Sequence, residues 1–417
     1  MNARRSGIFT LFCEEPYRIF FPLGVLIGAV GVSHWLFYAL GWQKVYSGFF
    51  HSSIQMQGYM ACFIGGFLMT AMPRFSSTFH ATGLELLVSL AFILADVGFL
   101  FRHWWIAAEV CFILWLLTLA RFAIVRIVNR KSSVHPPVEF VWIPIAIIHG
   151  IVGALLLIFF QGKWLPLWVF EVGDDMMGQG FVLAMVAGVG GFLSPRLMGR
   201  YDVAKPSEVC SMEDINRKKN RRVLIHALAG LIVFSSFWFE VKGFEAWSNG
   251  VRALVITSVL VWTRSLPRPP RTPGLFVKLV WLSMWMVILG SWLTALFPAY
   301  KKAMLHFMFI GGFSLMTFAI ATMVVLSHGG ESEKLQRPLP ILWMVAIGIA
   351  IALSLRSIAV FFTSLYFNLL GTAAVFWILV AVSWLCFIAP RILKVPQSGT
   401  FERDHEQVKE RVAQLNH

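Results

Sequence analysis

Long, almost unbroken stretches of apolar residues organise the chain, separated by short segments where charge, proline and glycine collect. Twelve such stretches occur, at 19–41, 49–72, 84–101, 104–128, 139–160, 174–194, 223–239, 248–264, 276–297, 303–327, 340–357 and 361–389. A helix needs about 20 apolar residues to cross the hydrocarbon core of a bilayer, and most of these stretches reach that length. The pattern predicts an all-α membrane protein with twelve transmembrane helices. The connecting segments are too short to hold a soluble domain, so residues 1–417 read as a single polytopic membrane domain.

A second regularity lies inside the apolar pattern. Gly-Gly-Phe recurs at Gly65-Gly66-Phe67, Gly190-Gly191-Phe192 and Gly311-Gly312-Phe313, in the second, sixth and tenth stretches. A recurrence every four helices predicts three four-helix blocks, 19–128, 139–264 and 276–389, in a pseudo-threefold arrangement. Such an arrangement brings the second, sixth and tenth spans to comparable inner positions.

Composition agrees with the pattern. Apolar residues make up 58% and charged residues 13%, with 38 Phe and 17 Trp and a mean hydropathy of +0.73, whereas soluble proteins carry about 25% charged residues. The net charge of +14 would point to nucleic acid in a soluble protein, but here it sorts by side. Of the 35 Lys and Arg, 27 fall on the side of the termini and 8 on the other. The positive-inside rule therefore predicts a multi-pass membrane protein with both termini cytoplasmic, membrane lipid as its surroundings and no nucleic-acid partner. The basic loop at 195–222 anchors that topology, and the charged tail at 399–417 is cytoplasmic. The first apolar run reads as a retained helix, because no small-residue cleavage site follows it. Five cysteines without a CxxC pair exclude a zinc ribbon or a disulfide framework, and the lack of CxxCH makes any haem non-covalent.

Ionisable side chains within a bilayer are costly and mark protein-lined or wet interiors. With the termini inside, most of them gather in the outer half: His34, His51, Asp96, His103, Glu109, Asp174, Asp175, His306 and Arg356. His51 and His306 stand at the outer ends of the second and tenth spans, two of the triplet-bearing helices. Two neutral imidazoles at one depth are what a bis-histidine b-type haem requires, which makes His51 and His306 the candidate metal ligands. Lys301, Lys302, Arg102 and Trp42, with Lys44, are candidate partners for haem propionates. Met56, Met60, Met176 and Met177 offer thioethers that could suit Cu(I), although packing is the simpler use of methionine. No residue is assigned a catalytic role. The alternative is a cofactor-free secondary transporter or channel, which repeats and polar residues near an outer vestibule would also serve.

Several segments together resemble the NnrS family of polytopic bacterial membrane proteins. They are Glu15-Pro16-Tyr17-Arg18-Ile19-Phe20-Phe21-Pro22-Leu23, His51 followed by Gly65 to Pro73, and His306 followed by Gly311 and Leu326-Ser327-His328-Gly329-Gly330. The resemblance implies haem, copper and a setting in nitric oxide metabolism or resistance in denitrifying and related bacteria. A periplasmic or membrane electron donor is the implied partner. The chain departs from the family's His-x-His-Glu-Met at span two, where Ser53 and Ile54 replace the second histidine and the carboxylate, and this counts against copper. His328 maps loosely onto the family's later histidine, at the cytoplasmic end, where a helix-terminating role is expected. A weaker likeness to the catalytic subunit of haem-copper oxidases rests on histidines in spans two and ten. The sixth span has no histidine and the seventh only His226, so a binuclear centre is not expected.

Overall fold

The computed structural model describes residues 7–131, 136–199, 212–262 and 266–394, and among these there is no strand. The tail at 399–417 and the middle of the 195–222 segment lie outside the described residues. After a short leading helix, Ile8–Glu14, come α1 (Tyr17–Ala39), α2 (48–76), α3 (Gly83–Phe101), α4 (Trp105–Val128), α5 (Val138–Gln161) and α6 (Leu167–Leu197). They are followed by α7 (Met212–Glu240), α8 (Glu245–Trp262), α9 (Leu275–Leu296), α10 (Pro298–His328), α11 (Pro340–Phe361) and α12 (Thr363–Ile392).

Ten of these helices are long and apolar enough to cross a membrane; α2 and α8 are not among them. Their sequences explain why: α2 carries Ser52, Ser53, Gln55 and Gln57, and α8 carries Ser248, Asn249 and Arg252. Gln57, Ser248, Asn249 and Arg252 are all buried, so both helices pack these groups against protein rather than lipid.

Two expected boundaries move. Asp174 and Asp175, expected to open the sixth span, lie two turns inside α6, which starts at Leu167 after Pro166. Their charges, with Glu171, interrupt the apolar run and hide the true start. The basic residues Arg217, Lys218, Lys219, Arg221 and Arg222, expected in a loop, belong to the first turns of α7.

Consecutive helices pack in pairs, α1 on α2, α5 on α6 and α9 on α10, and each pair is drawn close by glycine. A Cβ at Gly66 would come within 2.8 Å of Phe20, one at Gly173 within 3.0 Å of the Gly153 carbonyl oxygen, and one at Gly290 within 2.6 Å of the Met308 nitrogen. Small residues let backbones approach where lipid gives no hydrophobic drive for association. Further contacts run α4 to α5, α8 to α9 and α12 to α1, so the last helix lies along the first.

Helices α2, α6 and α10 share another feature. Each contains π-helical turns, at Ile54–Met60, at Met176–Phe181 and Val186–Gly190, and at Phe307–Ser314. Among the described residues no other helix does. These are the helices that carry Gly-Gly-Phe. A π turn inserts a residue into the helical repeat and redirects the side chains around it, and such turns recur at functional positions.

Candidate functional site

His51 lies in the first turn of α2. The Ser47 side chain caps that helix by accepting from the Phe50 N–H at 3.1 Å, and the Ser47 N–H donates to His34 Nε2 at 2.7 Å. His51 Nδ1 lies 3.1 Å from the Gly31 carbonyl oxygen of α1, and His306 Nδ1 lies 2.5 Å from the carbonyl oxygen of Lys302 one turn earlier in α10. A carbonyl can only accept, so each Nδ1 carries the hydrogen, and a neutral ring then presents its lone pair at Nε2. Among the described residues neither Nε2 makes a hydrogen bond. A metal-ligating histidine is commonly oriented by just such a contact from its other nitrogen.

His51 and His306 lie within electrostatic reach of each other, and Arg356 of α11 lies within reach of both. Arg356 Nη1 is buried with no hydrogen-bond partner. An unpaired guanidinium nitrogen in such a place calls for an anionic or carbonyl oxygen. Helix α6 completes the site. Ser52 Oγ donates to Asp174 Oδ1 at 3.3 Å, and Lys301 Nζ pairs with Asp175 Oδ2 at 2.5 Å and with Glu240 Oε1 at 2.7 Å. Glu240 in turn pairs with Arg252, which donates to Ser236 Oγ at 3.1 Å and Asn249 Oδ1 at 2.6 Å. Glu240 and Arg252 are buried, Lys301 and Asp175 half-buried, and the four charges compensate one another, as charges out of water must.

The other expected residues are placed differently. Lys301 is committed to the acids of α6 and α7. Lys302 is exposed and contributes its carbonyl to His306. Arg102 lies 5.9 Å over the Trp104 ring, and Trp42 is 74% exposed beside Phe37. Neither contacts His51 or His306. Sequence reasoning placed Arg356 in the outer half but gave it no role; its signal was a lone arginine near the end of an apolar run. Ser53 and Ile54 are buried in the core. Met56, Met60, Met176 and Met177 are buried as well, and Met60 lines an apolar cavity of about 100 Å³ with Phe63, Met185, Val186 and Met316, between α2, α6 and α10.

At the opposite end of the bundle the segments quoted for the family resemblance converge. Glu15 accepts from Arg18 Nε at 2.7 Å, Arg74 Nη2 at 2.7 Å and His328 Nδ1 at 2.8 Å, while His328 Nε2 faces Arg74. The Tyr17 ring stands edge-on to His328 at 5.1 Å, and Arg18 reaches the carbonyls of Arg391 and Ile392 at the end of α12. Burial would raise the Glu15 carboxyl, but the hydrogen bond and charge of His328 and the guanidiniums of Arg18 and Arg74 hold it down, at about 2. His328 is therefore more than a helix terminator. His226 also has a structural partner, accepting from Trp142 Nε1 at 3.1 Å.

Comparison with the curated proteins finds no match. The family model described as NnrS protein matches residues 11–395, which takes in both polar ends of the bundle and every helix between them, and the chain belongs to the NnrS family.

Proposed function

We propose that this protein binds one b-type haem between His51 and His306 and serves nitric oxide metabolism or resistance as an electron-transfer component of the bacterial inner membrane. The observation that carries the reading is the pair of imidazoles, each fixed at Nδ1 by a backbone carbonyl and open at Nε2, with an unpartnered Arg356 nitrogen close by. The donor set fits a haem: two neutral imidazoles for the iron and a guanidinium for a propionate. Bound there, haem would supply reversible one-electron chemistry. The protein residues would orient the ligands, neutralise a propionate and shield the site. With both His51 and His306 given to the iron, electron transfer would suit the site better than direct turnover of a gas. Copper is left out, because Ser53 and Ile54 replace the donors a second metal would need.

The proposal extends to topology. Twelve spans in three four-helix blocks are supported by the glycine-close pairs, the shared π turns and the packing of α12 on α1. The bias of Lys and Arg toward the terminus side supports cytoplasmic termini, with the haem near the periplasmic face and a periplasmic or membrane electron donor. The test is a reduced-minus-oxidised spectrum of protein purified from haem-replete cells. A b-type spectrum is expected, and His51→Ala or His306→Ala should abolish it. Colourless wild-type protein, or a spectrum unchanged by both substitutions, overturns the reading.

A further inference from the structure

Away from the histidines, between α2, α3 and α4, lies a group of oxygens that the proposed function does not use. Asp96 of α3 is 1% exposed, and neither of its carboxyl oxygens has a hydrogen-bond partner. Glu109 of α4 is fully buried and makes no ion pair among the described residues; Gln57 Nε2 donates to both its oxygens, at 2.9 and 3.0 Å. Gln57 belongs to the π turn of α2 and is itself 0% exposed, and its remaining oxygen, Oε1, is also unpartnered. The contact is close: a Cβ on the neighbouring Gly58 would meet Val97, next to Asp96, at 3.2 Å.

The charged surroundings are one-sided. Asp96 lies within electrostatic reach of Glu109, Glu109 of Asp174, and the thiols of Cys62 and Cys111 of Asp96. Among the described residues neither Asp96 nor Glu109 makes an ion pair with a cation. Two ionised carboxylates buried among apolar helices, with no ion-pair partner, would be costly to keep out of water, and the inexpensive remedy is to bind protons. A neutral acid also gains a donor, and orphan oxygens of Asp96 and Gln57 stand ready to accept from it.

We infer that Asp96, Glu109 and Gln57 form a buried proton-binding site in which both acids are held neutral. Toward the polar end of the bundle, Glu109 lies within electrostatic reach of Asp174, which accepts a hydrogen bond from Ser52. The site stands on residues separate from the histidine pair and holds whether or not haem binds there.

The experiment is infrared difference spectroscopy of the purified full chain in neutral buffer, exchanged between water and deuterium oxide, with choline or sodium as the salt cation. A protonated-carboxyl band that shifts in deuterium oxide is expected in either salt. Asp96→Asn and Glu109→Gln, which preserve shape, should each remove part of it. If neither variant folds, the wild-type spectrum still decides. Absence of the band at neutral pH overturns the inference, as does a band unaffected by both variants. A band that sodium abolishes would identify a metal-cation site and overturns it too.

Discussion

At the scale of single residues, the site depends on backbone atoms as much as on side chains. His51 is aimed by the carbonyl of Gly31, and Gly31 sits where a Cβ would come within 2.4 Å of Ile54 and 2.6 Å of Gln55. That glycine both admits α2 and supplies the acceptor that fixes the imidazole. Gly31→Ala should push α2 outward at His51, cost about 1–3 kcal/mol of stability, and weaken haem retention while leaving His306 in place; haem content per mole of protein measures it. Arg356→Gln should keep the haem but lower its midpoint potential, because a nearby cation favours the reduced state. The expected fall is several tens of millivolts, with about 59 mV corresponding to a factor of ten in equilibrium, and a redox titration reads it. The sequence singles out His51 and His306, since an imidazole at the end of an apolar run stands out. Their supports are not legible there, because a carbonyl on another helix leaves no mark in periodicity. The partners of Lys301 are hidden for a related reason: the acids that pair with it lie on helices far away in sequence.

At the scale of elements, the apolar runs located every long helix but misjudged where charge interrupts one. Helix α6 begins at Leu167, before Glu171 and Asp174 break the pattern, so two acids expected at its tip stand well within it. The π turns were not legible, since apolar periodicity over so few residues does not separate 3.6 from more residues per turn. Gly-Gly-Phe nonetheless picked out the three helices that contain them. In α2 the π turn lies between His51 and Gly66, so it sets the angle between the imidazole and the glycine that rests on Phe20. Deleting Gln55 removes the inserted residue, so α2 should close to α-helical spacing with Gly66 still against Phe20, and the variant should purify as monodisperse protein. An alanine inserted after Gln55 instead adds a residue and rotates everything beyond it by about 100°, which takes Gly66 off Phe20, so the yield should drop sharply. An insertion variant that purifies like wild type would show that the π turn does not set this register.

At the scale of the whole molecule, the two ends of the bundle do different work. The end with His51 and His306 leaves the Arg356 guanidinium without an ion-pair partner among the described residues, while the opposite end pairs its charges and ties α1, α2, α10 and α12 together around Glu15. Arg18 carries this clasp to the end of α12, which is how the last helix is held along the first. The clasp makes a pH prediction. Glu15 in the folded protein titrates at about 2, below its ordinary value of 4.5, so its contribution is fully present above 4.5 and disappears as the pH falls toward 2. Thermal unfolding of the detergent-solubilised protein should therefore lose stability across that acid window. Glu15→Gln should flatten the loss. At neutral pH the same substitution leaves Arg18 buried beside Arg74 without their carboxylate, at a cost of about 3–5 kcal/mol. A variant that melts like wild type at neutral pH would mean that the contacts of α12 with α1 close the bundle without the ion cluster.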